Sequence, residues 1–215
     1  HTWDLIAGVT QLLDPQTTVT ANVGFGHSTG YHADPYRVIQ RLAEVAPGVF
    51  LPLTTGENRP DVRDKWTALA SVNRAYPAAN AAAEASYRLY HDSFGTTAHT
   101  IEVAWFQKLG GALILRPSLR FYDQTAADFY RLDLNGVTFT PTGIPAPEGP
   151  FYSADYRLSA FRSFNYGLKA IWTVNGRWQL DAAIERYEMK GKDNVTSASV
   201  YPTAAIITVG AKLSW

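Results

Sequence analysis

Cysteine is absent from the 215 residues. Neither a disulfide scaffold nor a zinc–thiolate site can therefore form, and a thiol-free chain suits passage through an oxidising compartment while unfolded. Long apolar runs are also missing: none approaches the roughly 20 residues that a membrane-spanning helix needs. Charge of one sign is lacking too, since 19 Lys and Arg balance 19 Asp and Glu. No bulk electrostatic case for nucleic acid remains. A leader segment is not visible, because His1-Thr2-Trp3-Asp4 runs straight into strand-like alternation.

What is present is a single-domain length, 46% hydrophobic residues, and 13% aromatics including six Trp and twelve Tyr. A sheet that faces lipid on one side spreads its apolar residues over alternate positions. It also concentrates Trp and Tyr at the membrane–water boundaries. The aromatic excess favours such girdles over an ordinary core.

The last segment carries the pattern most clearly. Ala205, Ile207, Val209, Ala211, Leu213 and Trp215 alternate with Thr208, Gly210, Lys212 and Ser214, a period of two with one face apolar and the other small or polar. Ending on an aromatic is common in the barrels of bacterial outer membranes. The same alternation predicts strands over residues 3–13, 18–26, 65–76, 81–91, 98–108, 112–122 and 177–188. Residues 152–174 hold one parity throughout and read as one very long strand. Pro117 should bulge or kink its strand. Tight turns are expected at Asp14-Pro15, Tyr76-Pro77, Leu109-Gly110 and Asn175-Gly176.

Residues 27–64 break the alternation. Asp34 as N-cap, Pro35 as first helical residue, and Val38, Ile39, Leu42 and Val45 at helical spacing predict a short amphipathic helix over 35–46. Pro47, Pro52, Gly56 and Pro60 make the rest an irregular loop. Residues 123–150 form a second long loop, and 190–202 a polar one. The fold class expected is all-β: an antiparallel up-and-down transmembrane β-barrel with about nine strands in residues 1–215. If Trp215 marks the periplasmic rim, all three long segments lie outside the cell and the four tight turns inside it. Such barrels usually have an even strand number. An odd number of strands is then expected before His1, in a complete barrel of roughly 10 to 14 strands whose leader was removed or lies beyond this sequence.

Several stretches, in order along nearly the whole chain, carry a resemblance: Gly30-Tyr31-His32-Ala33-Asp34-Pro35-Tyr36, Glu57-Asn58-Arg59-Pro60, Tyr87-Arg88-Leu89-Tyr90-His91-Asp92-Ser93-Phe94-Gly95, His99-Thr100, Arg120-Phe121-Tyr122-Asp123-Gln124, Ala126-Ala127-Asp128-Phe129-Tyr130 and Asp155-Tyr156-Arg157-Leu158-Ser159. They resemble an uncharacterised family of Gram-negative outer-membrane β-barrels known only by a domain-of-unknown-function label. The resemblance implies a barrel fold, the outer membrane, and a longer N-terminus. It implies no activity.

Charge can be tolerated only on the face away from lipid, where a mid-membrane penalty of a few kcal/mol is avoided. That parity selects Glu84, Arg88, Glu102, Arg116, Arg120, Asp155, Arg157, Lys169, Asp181 and Glu185 as lumen residues. They read as an ion-paired filling of a narrow barrel or as the selective lining of a polar pore. Trp3, Trp66, Trp105, Trp172, Trp178 and Trp215 read as girdle residues. His91-Asp92-Ser93 with His99 contains the residue types of a hydrolase triad, yet neighbours on a strand point to opposite faces and no nucleophile elbow accompanies them. These histidines with His27 and His32 lack a metal-ligand spacing. Asp34, Glu57, Asp61, Asp64, Asp128 and Asp133 read as a solvated acidic surface before a calcium site. No catalytic residue, metal or cofactor is predicted. The expected partners are outer-membrane lipids, the barrel-assembly machinery through the C-terminal strand, and an envelope protein if the barrel is a scaffold. The leading expectation is a channel for small polar solutes gated by residues 27–64. A scaffold is second and an enzyme a weak third.

Overall fold

The computed structural model describes residues 1–135 and 151–214. Trp215 and residues 136–150 of the second long loop lie outside the described residues. Nine strands form one sheet: β1 (Thr2–Asp14), β2 (Thr17–Thr29), β5 (Val62–Tyr76), β6 (Ala81–Asp92), β7 (Thr97–Leu109), β8 (Leu113–Gln124), β9 (Phe161–Thr173), β10 (Trp178–Gly191) and β11 (Thr203–Leu213). Each pairs antiparallel with the next in that order. The sheet is an open meander with β1 and β11 as its edges. β3 (Val38–Ala46) and β4 (Val49–Gly56) form a separate hairpin between β2 and β5.

Alternation in sequence becomes alternation of faces, and the burial runs opposite to that of a soluble sandwich. Along β11, Ile207 and Val209 are 76% and 78% exposed. Along β5, Trp66, Ala68, Ala70 and Val72 are exposed, while Thr67, Leu69 and Ser71 on the other face are half-buried. The apolar side chains thus dominate the middle of one face of the sheet and the polar ones the other, the division that a barrel wall requires. An apolar patch of this extent belongs in lipid.

Apart from the β6–β7 turn at residues 93–96, the short connections of the sheet lie at one end: residues 15–16, 77–80, 110–112 and 174–177. The long ones lie at the other, as the pattern of turns predicts. Pro117 does interrupt pairing. Between Ala104↔Ser118 and Gln107↔Leu115 the β7–β8 ladder has a gap, but the register on its two sides is the same, so there is no bulge. The missing N–H costs a ladder bond without displacing the strand.

Two expectations are corrected. The helix over 35–46 is instead the β3–β4 hairpin. Asp34 does accept a hydrogen bond from the Tyr36 N–H at 3.0 Å, but this closes a turn and no helix follows. An isolated helix of about three turns is marginal in water. The strand alternative gains a ladder from Val38↔Gly56 to Ala46↔Val49, closed by Gly48 at φ +75°. Pro52 fits because β4 is an edge. Second, 152–174 is not one strand. β9 begins at Phe161, and before it Asp155 caps a 3-10 turn, Tyr156–Leu158. Asp155 and Arg157 therefore lie on a connection and not on the sheet wall.

Candidate functional site

Parity and register together bring the charged residues of the polar face into one band. Glu84 and Arg88 sit on β6, Glu102 on β7, Arg116 and Arg120 on β8, Lys169 on β9, and Asp181 and Glu185 on β10. Cross-strand pairing sets Glu102 beside Arg120 and Arg120 beside Asn165. Eight of the ten expected lumen residues are thus on the polar wall.

Their partners differ. Arg120 Nε is 2.8 Å from Glu102 Oε1, and Lys169 Nζ is 2.9 Å from Asp181 Oδ2. Asn165 donates its amide to Glu185 Oε2 at 3.0 Å. The Arg116 guanidinium lies 5.1 Å from the Phe106 ring centre, a cation–π contact. Glu84 and Arg88 make no ion pair among the described residues. Glu84, Glu102, Arg116, Arg120 and Glu185, with Ser86 and Ser118, line a cavity of about 160 Å³. Space for the Glu185 side chain comes from Gly167, where a Cβ would stand 2.6 Å from Glu185 Cγ. On β1, β2 and β5 the same face is mostly small and neutral, with Thr10, Thr20, Asn22 and Ser71.

The long-connection end is packed. Three apolar clusters lie there: Phe94, Ala127, Phe129 and Leu158; Ile39, Leu134 and Tyr152; and Phe161, Met189 and Tyr201. Two buried polar nodes join them to the wall. Fully buried Asp92 accepts from Arg63 Nε (2.9 Å) and Nη2 (2.5 Å), from the Tyr90 hydroxyl (2.7 Å), and from the Phe94 and Thr96 N–H groups. Asp155 takes Arg59 Nη2 at 3.0 Å and Arg157 Nη2 at 2.5 Å. Arg59 also meets Glu57, which accepts from the Ser153 hydroxyl (2.5 Å) and the Asp34 N–H. The root of the β3–β4 hairpin is therefore tied to residues 153–157. Burial pushes the Asp155 carboxyl up. Hydrogen bonds from the Arg157 side chain and N–H, with the charge of Arg157 and a bond from Arg59, more than offset this and hold it below the usual carboxylate range.

These nodes were not read from the sequence. Alternation from Glu84 through Arg88 puts Asp92 on the polar face, opposite Lys65 and near Arg63, so that one was within reach. Nothing in the chain announces the Arg59–Asp155 contact across 96 positions.

The triad residue types are not assembled. His91 Nδ1 meets Thr97 Oγ1 at 2.9 Å, His99 Nδ1 meets the Tyr87 hydroxyl at 2.6 Å, Asp92 is held by Arg63, and Ser93 accepts from the Asp64 N–H. His27 pairs with Asp64 at 2.6 Å and His32 lies beside Ser28. No group of three or more His, Asp or Glu able to hold an ion occurs among the described residues.

On the apolar face the tryptophans form two rows. Trp3 and Trp66 flank Phe25 near the long connections, at 5.3 and 5.4 Å between ring centres. Trp105 packs on Tyr76 at 5.5 Å near the short turns, where Trp172 and Trp178 also lie. Trp66 and Tyr76 are ten residues apart on β5, about 33 Å along a strand. At a tilt of about 40° this spans about 25 Å, the height of a barrel's lipid-facing band.

The chain belongs to a family described as a protein of unknown function (DUF3570), whose model matches residues 1–210. No curated protein matches its sequence. Among solved structures it is similar to OmpT, an outer membrane protein of Vibrio cholerae, in its in-vitro folded form. The TM-score is 0.59 at 9% identity, over 100% of this chain and 56% of that one. The trimer form of the same protein gives a TM-score of 0.58 at 9% identity, with the same coverage. The chain thus spans about half the length of these structures. At such identity the likeness concerns fold alone, and that fold is the wall of an outer-membrane β-barrel.

Proposed function

We propose that this family member sits in the bacterial outer membrane as an integral β-barrel and conducts small polar solutes. The observation that carries this reading is the division of the sheet. Charges converge on a polar cavity of about 160 Å³ on one face, while the other face is apolar between two aromatic rows. Glu84 and Arg88, without ion-pair partners among the described residues, are the charges best placed to meet a passing solute. The end that carries the long connections would face the cell exterior and the opposite end the periplasm.

The test is single-channel conductance of the purified full-length protein in planar bilayers. A stable open conductance, with a reversal potential that moves toward cation preference when Arg116 and Arg120 are changed to Gln, supports the channel. A heat-modifiable barrel with no conductance overturns it.

A second reading, a non-conducting scaffold for an envelope partner, is favoured by the cap. Three apolar clusters and two buried ionic nodes close over the long-connection end of β5 to β11. In that reading the β3–β4 hairpin, with Leu42, Phe50 and Leu51 exposed, presents the contact surface.

A further inference from the structure

We propose that the lipid-facing rim of β8–β10 binds the phosphorylated headgroup of an outer-leaflet lipid. The inference rests on the outer-membrane reading above and extends it to a specific site.

Asp123, Arg162 and Lys190 are consecutive neighbours across β8, β9 and β10. Their parity is that of Phe121 and Phe164, so they project from the apolar face just beyond those rings, which pack 4.9 Å apart. Arg162 and Lys190 are exposed. Lys192 reaches back to Asp123, and Arg186 Nε lies 3.3 Å from Glu188 Oε1. The two carboxylates of the patch are thus engaged, and Arg162 and Lys190 have no ion pair among the described residues.

That pairing is unfavourable, because like charges directly opposite on neighbouring strands destabilise a sheet. Asp123, on the other side of Arg162, offsets it only in part, since that carboxylate is shared with Lys192. An anion between Arg162 and Lys190 would offset the rest. Arginine and lysine together suit phosphate, the first through its planar fork and the second as a point charge. The position beside a row of aromatic rings selects an amphiphile over a free ion, because acyl chains can lie along Phe121, Phe164 and Tyr166 while the headgroup meets the cations. The rest of the rim lacks this character. Over β1–β7 the corresponding places hold the His27–Asp64 pair, Trp66, His91 and His99, which bond or stack with one another and with Tyr87.

The experiment uses the full-length protein, first refolded into plain phosphatidylcholine vesicles and scored for heat-modifiable migration. Binding of bis-phosphorylated lipid A is then compared with binding of its dephosphorylated form, for the natural protein, for Arg162→Gln with Lys190→Gln, and for Arg177→Gln at the opposite end. Both rim residues are exposed and unpaired, so the double variant should fold. The expected result is binding of the phosphorylated lipid at least tenfold tighter than the dephosphorylated one, lost in the double variant and kept in R177Q. Equal binding of the two lipids, or an unaffected double variant, overturns the site. Competition by inorganic phosphate alone at equal strength overturns the lipid as its occupant. Normal heat-modifiable folding with no phosphate-dependent binding sinks this inference and leaves the barrel standing. Failure to insert into vesicles sinks both.

Discussion

Arg59 and Asp155 stand 96 positions apart in sequence and 3.0 Å apart in space, with Arg59 Nη2 donating to Asp155 Oδ2. Asp155 is almost fully buried and Arg59 nearly so. Breaking a buried pair by removing one partner costs about 3–5 kcal/mol, because the other charge is left unmatched. Asp155→Ala should therefore release the hairpin root and residues 153–157 together. Hydrogen exchange over residues 38–56 should rise by orders of magnitude, while heat-modifiable barrel migration stays normal. Unchanged exchange would show that the apolar clusters alone hold the cap.

The same contact sets a pH dependence. The folded Asp155 carboxyl titrates below the usual value, so its contribution is present above about pH 4 and is lost as pH falls through the folded value. Exchange of the hairpin amides, corrected for intrinsic rates, should be flat from pH 7 to about pH 5 and rise toward pH 3. A rise already complete at pH 5 would show that a group other than Asp155 controls the hairpin.

Facing can be tested on adjacent positions of β11. Ile207→Arg and Val209→Arg place a charge in lipid and should cost about 2–4 kcal/mol in urea refolding into bilayers. Thr208→Arg, between them on the polar face, should cost much less. Equal costs would mean that the sheet does not present its apolar face to lipid.

Gly167 offers a packing test. A Cβ there would lie 2.7 Å from the Ile184 carbonyl oxygen, a backbone atom that cannot swing away, and 2.6 Å from Glu185 Cγ. Gly167→Val should cost about 1–3 kcal/mol in the same refolding assay. It should also alter any conductance, because it moves Glu185 within the cavity.

The wall was legible in sequence because a strand's period of two needs only local information: Trp66, Ala68, Ala70 and Val72 announce their common face without reference to any other segment. Polar-face parity followed for Glu84, Arg88, Glu102, Arg116, Arg120, Lys169, Asp181 and Glu185 by the same rule. The connections were not legible to the same depth. Val38, Ile39, Leu42 and Val45 fit a helical period and fall two on each face of a strand, so local periodicity favours the helix, and only pairing with Val49–Gly56 makes the segment a strand. Asp155 and Arg157 kept the parity of β9 by coincidence, since Asp155 caps the turn at Tyr156–Leu158. A run of matched parity cannot report where a ladder ends.

The order of signs along the wall has a consequence for anything that touches it. Beyond β6, which carries one charge of each sign (Glu84, Arg88), an acid on β7 (Glu102) is followed by bases on β8 and β9 (Arg116, Arg120, Lys169) and by acids on β10 (Asp181, Glu185). The field between these sectors points around the wall and not along the strands. It is felt most where the low-dielectric sheet concentrates it. A zwitterion drifting along this surface would turn its dipole crosswise, and a molecule with charges of one sign would be drawn to one sector and repelled from the next.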